Sequence, residues 1–73
     1  MYERGDVMDS IEKGNRIRML REAKGLSQKE LADELKISTS SVTMYECGKR
    51  VPRDELKITI AHFFDKSIGS IFF

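Results

Sequence analysis

Residues 27–49 read SQKELADELKISTSSVTMYECGK, two short helical patterns with almost nothing between them. Each opens on a serine that follows a branched apolar residue, Leu26-Ser27 and then Ile37-Ser38. Ser27 with Glu30 forms a capping box, in which each side chain satisfies a backbone N–H that a helix start leaves unpaired. Leu26 and Leu31 occupy the two positions of a hydrophobic staple, and Ile37 and Val42 repeat the device. Leu31, Ala32 and Leu35 make the buried stripe of the first helix. Val42, Tyr45 and the stem of Glu46 make that of the second, which Gly48 stops. Thr39, Ser40, Thr43 and Met44 are left on the side of the second helix turned away from its core face.

Working outward, Asn15 to Lys24 (NRIRMLREAK) is rich in helix formers, with Ile17 and Leu20 on one face and Gly25 placed to end it. Asp9 and Glu12 offer an earlier start, but Gly14 weakens the join. Residues 1–12 are therefore expected as a frayed or separately packed arm, and residues 13–73 as the folded domain. Downstream, Pro52 cannot extend a helix but can begin one, and Arg53 to Phe64 carries Leu56, Ile60 and Phe63/Phe64 at helical spacing. Ser67 caps a last turn, Ile68 to Phe72. No stretch sustains an alternation of period two, so the expected fold is all-α: five short helices around Leu20, Leu31, Leu35, Val42, Ile60 and Phe64.

Composition narrows the function classes. A chain of 73 residues supports one core and not two, so no effector domain is expected. With 40% hydrophobic and 34% charged residues it reads as a soluble globular domain rather than a disordered one. No apolar run approaches the roughly 20 residues of a membrane span. The N-terminus lacks a signal-peptide core, and a single cysteine, Cys47, fits a reducing cytosol. Net charge is only +1, but Glu3, Asp6, Asp9 and Glu12 load the first twelve positions with acid. From Lys13 onward twelve basic residues face eight acidic ones, an excess compatible with phosphate contact. One histidine, His62, and one cysteine cannot assemble a four-ligand zinc site. Neither a glycine-rich phosphate loop nor an acid–base pair is evident, so no catalysis and no cofactor are expected.

The string RIRMLREAKGLSQKELADELKIS…VTMYECGKRVP resembles the lambda-repressor-like, Cro/CI-type (XRE) helix-turn-helix family. The most specific pieces are S-Q-x-E-L-A at Ser27–Ala32 and Y-E-x-G-K at Tyr45–Lys49, and the likeness runs from about Gly14 to Phe72. It implies a compact five-helix domain in which helices 2 and 3 form the helix-turn-helix, with helix 3 in the major groove of double-stranded DNA. On that reading Thr39, Ser40, Thr43 and Met44 face the bases, where the threonine methyls and Met44 suit thymine methyl groups. Helix 3 lacks the Arg, Gln or Asn that grip guanine or adenine bidentately, so DNA shape would carry part of the specificity.

The resemblance also implies roles by position. Gln28, with Ser27 at the start of helix 2, matches the family's phosphate-contacting glutamine; the bland account is an ordinary polar first turn. Lys49 and Arg50 look like phosphate contacts that set register, while Arg53 fits a plain solvated loop about as well. Arg21 and Glu46 match a helix 1–helix 3 ion pair. The family usually has glycine at the corner where this chain has Lys36, a cost if that position needs a positive φ. Ile71, Phe72 and Phe73 are read as a homodimer contact, since a small domain is expected not to bury all its terminal aromatics. The function that follows is sequence-specific, repressor-like regulation of transcription in the cytoplasm, at the nucleoid, by a dimer on paired half-sites. Neither a small-molecule ligand nor a membrane partner is expected. The alternative is an antitoxin or other protein-interaction module whose DNA binding is autoregulatory.

Overall fold

The computed structural model describes residues 4–73, with side chains from Asp9 onward. Five helices follow in order: α1 Arg4–Ala23, α2 Gln28–Leu35, α3 Thr39–Glu46, α4 Asp54–Phe63 and α5 Ile68–Phe72. Among the described residues there is no strand, and no helix is long and apolar enough to cross a membrane. The all-α expectation and its helix order hold.

The starts are set by hydroxyls. Ser27, Ser38 and Ser67 each accept a hydrogen bond from the backbone N–H three residues on, and Ser27 completes its box by donating its own N–H to Glu30. The stops share one device. After α1, α2, α3 and α4 the chain enters the left-handed region at Gly25, Lys36, Gly48 and Asp65. The following N–H then reaches back five residues: Leu26 to Arg21, Ile37 to Ala32, Lys49 to Met44, Lys66 to Ala61. These are Schellman closures, which satisfy carbonyls a helix end would otherwise leave open. Two of the four fall on residues with a Cβ.

Burial of the apolar stripes holds the helices together. Ile17, Leu31, Ala32, Leu35, Val42, Ile60, Ala61, Phe64, Ile71 and Phe72 form one buried cluster, with Leu20, Ile37, Tyr45 and Leu56 packed against it half-buried. The corner of α2 and α3 is braced by α1 packing on α3, while α5 packs against α1 and α4.

Two expectations need correction here. Residues 4–12 are not a separate arm: they are the first turns of α1, continuous through Gly14. Gly14 permits the helix because α1 lies so close to α3 that a Cβ there would overlap the carbonyl oxygens of Tyr45 and Glu46. Residues 1–3 of the expected arm lie outside the described residues. The second correction concerns Ile71 and Phe72, each 1% exposed within the protomer's own core and so not offered to a second copy. Of the three residues assigned to a dimer contact only Phe73, 78% exposed, stands at the surface.

Candidate nucleic-acid interface

The corner that orients α3 is three residues long, Lys36 to Ser38. Lys36 takes φ 58 and ψ 44, a left-handed conformation that costs an L-residue about 1–2 kcal/mol. The cost is offset locally, because the same turn lets Lys36 and Ile37 donate to the Asp33 and Ala32 carbonyls. Ser38 then caps α3 at once, its hydroxyl accepting from Ser41 N–H at 3.1 Å. A corner closed by these bonds within three residues leaves α3 little freedom to swing.

From the other side α3 is tied by charge. Arg21, on α1, donates from Nε and Nη2 to the two carboxylate oxygens of Glu46 at 2.6 and 3.1 Å, and from Nη1 to the Leu26 carbonyl at 2.7 Å. Both residues are buried, at 8% and 6% exposure. The hydrogen bond to Glu46 chiefly, and its negative charge with that of Glu22, raise the Arg21 pKa above its ordinary value against the opposing pull of burial. The bidentate fork of a guanidinium fits a carboxylate in two places at once, which fixes the angle between α1 and α3 as well as their separation.

The network continues to the surface. Gln28 Nε2 donates to Glu46 Oε1 at 3.1 Å, and Gln28 Oε1 accepts from the Thr43 hydroxyl at 2.9 Å. A single chain of hydrogen bonds therefore runs from Arg21 through Glu46 and Gln28 to Thr43. Gln28 sits half-buried in the first turn of α2 and keeps one amide hydrogen beyond that chain. Spacing in the sequence, with 15 residues to Thr43 and 18 to Glu46, gave no sign of this link.

Thr39, Ser40, Thr43 and Met44 are all exposed on α3, Met44 at 41%. With Cys47 and Lys49 they line one open depression of about 350 Å³. Ser27 lies exposed at the start of α2 with its oxygen committed to the cap, so its hydroxyl hydrogen is what it offers a phosphate. Lys49 and Arg50 are exposed just beyond α3, and Arg53 precedes α4 without a side-chain capping bond. Arg50 and Arg53 line a second depression, about 510 Å³, on the opposite flank of α3 beside Ser38, Ser41, Tyr45 and Val51. Among the described residues no group of three or more His, Cys, Asp or Glu side chains is placed to hold a metal ion.

Comparison with known proteins gives a consistent picture. A family model described as helix-turn-helix matches residues 17–71. Over 68 residues, 93% of its length, the chain is 38% identical to a protein of Pyrococcus furiosus provisionally described as an HTH-type transcriptional regulatory protein. It spans only 21% of that relative. Among solved structures, the clp gene regulator ClgR from C. glutamicum superposes with a TM-score of 0.75 at 24% identity, over 86% of this chain and 82% of that one. The likeness to ClgR speaks to the fold.

Proposed function

The chain belongs to the helix-turn-helix family of DNA-binding transcriptional regulators, and from that premise we propose that it binds duplex DNA sequence-specifically, as a repressor-like dimer on paired half-sites. The observation that carries the reading is a recognition helix held from both ends with its outward face unused by the core. α3 is capped at a closed corner, pinned by Arg21 and Glu46, and exposes Thr39, Ser40, Thr43 and Met44 together. In the major groove those side chains would meet base edges. The N-terminus of α2, with Ser27 and the free amide hydrogen of Gln28, would meet one phosphate, as helix starts favour anions. Lys49 and Arg50 would neutralise phosphates on the flank and set the register. Phe73, exposed just past the end of α5, is the apolar residue on which a second copy would pack.

Selection of bound duplexes from a random pool, followed by affinity measurements at fixed salt, tests this. Replacing Thr43 and Met44 together by alanine should weaken binding to the selected duplex by more than it weakens binding to random duplex. Both side chains are exposed, and losing the Thr43 hydrogen bond to Gln28 should lower stability by only about 1 kcal/mol. Equal losses on the two duplexes would mean that these residues do not read bases.

A further inference from the structure

We infer that the outward face of α3 reads the C5-methyl groups of thymines. This rests on the DNA-binding reading above and concerns what the same face discriminates. Bidentate reading of adenine needs an amide and that of guanine a guanidinium or ammonium, and none occurs between Ser38 and Cys47, although Lys49 lines the same depression from beyond the helix. The nearest amide, Gln28, is already bonded to Thr43 and Glu46.

The hydroxyl of Thr43 has one hydrogen, and it faces Gln28 Oε1 at 2.9 Å and the Thr39 carbonyl at 3.1 Å. The Cys47 thiol points back at the Met44 carbonyl, 3.6 Å away. With those two hydrogens directed inward, the depression offers threonine methyls, the Met44 thioether and the Cys47 sulfur, beside the Thr39 and Ser40 hydroxyls and Lys49. Among the groups a base pair shows in the major groove, only the thymine methyl is apolar. Charge is also arranged for the encounter. The one carboxylate of α3, Glu46, is buried against Arg21, while the exposed Lys49 lines the face itself.

The test substitutes deoxyuridine for thymidine throughout the selected duplex, which removes the methyl and leaves every hydrogen-bonding group in place. Each contacted methyl is worth roughly a fourfold change in affinity, the effect of burying one methylene-sized group. The substituted site should therefore bind about tenfold or more weakly if two are contacted, while random duplex binds equally with either base. In Met44→Ala and Thr43→Ser proteins, the second keeping the hydroxyl and losing only the methyl, the thymidine preference should shrink. A selected duplex that binds equally well with deoxyuridine would overturn the inference and leave DNA binding standing. A preference unchanged in both variants would also overturn it, because the methyl would then act through DNA shape. No binding to either pool would sink this and the proposed function together.

Discussion

Arg21 and Glu46 should be the most strongly coupled pair in the molecule. Glu46 receives three hydrogen bonds, two from Arg21 and one from Gln28, and the two charged side chains are 10% and 3% exposed. Removing either partner strands the other's charge away from water, which costs on the order of 3–5 kcal/mol. Glu22, 3.9 Å from Arg21 and itself largely exposed, cannot substitute. A domain of this length has a total stability of about 4–11 kcal/mol, so either single loss uses a large share of it. At about 2.1 cal/mol/K of unfolding entropy per residue, 3 kcal/mol lowers the melting temperature by ~20 °C.

Arg21→Met with Glu46→Met removes both charges, and the exposed side of the cluster lets water reach the Leu26 carbonyl and the Gln28 amide. The double variant should therefore be more stable than the sum of the singles predicts, by about 2–3 kcal/mol. Urea unfolding followed by circular dichroism on the four proteins gives the coupling directly. Glu46 raises an arginine pKa that is already high, so Arg21 keeps its contribution below the ordinary arginine range. It loses that contribution only as pH rises through the still higher folded value, and coupling should hold from neutral to moderately alkaline pH. A coupling under about 0.5 kcal/mol would refute the view that this pair fixes α1 on α3.

Lys36→Gly should stabilise by about 1 kcal/mol, read as a melting temperature raised by roughly 4–8 °C, since it relieves a positive φ at an exposed site. Asp65→Gly should move the same way by less, because aspartate tolerates the left-handed region better than lysine does; the reverse order would mean that φ is not what matters. Gly14→Ala should destabilise by about 1–3 kcal/mol, because the methyl meets backbone carbonyls of α3 that cannot swing aside. Lys49→Ala with Arg50→Ala should weaken all duplexes alike and reduce the slope of log affinity against log salt by about 2; an unchanged slope would remove both from the phosphate contacts.

The contrast between Ser27 and Gly14 shows what was legible and why. A serine cap acts over three residues, so Ser27, Ser38 and Ser67 could be placed from the chain alone, and with them the starts of α2, α3 and α5. Gly14 looked like a break, because a glycine's local effect in a helix is an entropic cost of about 1 kcal/mol. Its reason lies more than thirty residues away, in the carbonyls of Tyr45 and Glu46. Phe72 misled in the same manner. Two aromatics at a chain end look like surface until α1 and α4 are in place to cover one of them, with Lys57 Nζ 5.7 Å from its ring centroid.

The candidate interface divides along the same line. Helical periodicity alone turns Thr43 and Met44 away from Val42, so their position on a free face needed no structure. Which way the Thr43 hydrogen points did need one, because its acceptor on Gln28 belongs to a different helix. That direction decides the chemistry of the face. With its hydrogen outward, a threonine is a donor able to address a carbonyl edge; with the hydrogen turned toward Gln28, its methyl is the part that meets a base. The link that steadies α3 thus also withdraws a polar group from it, and any change that frees Gln28 should return a donor to the groove as well as loosen the helix.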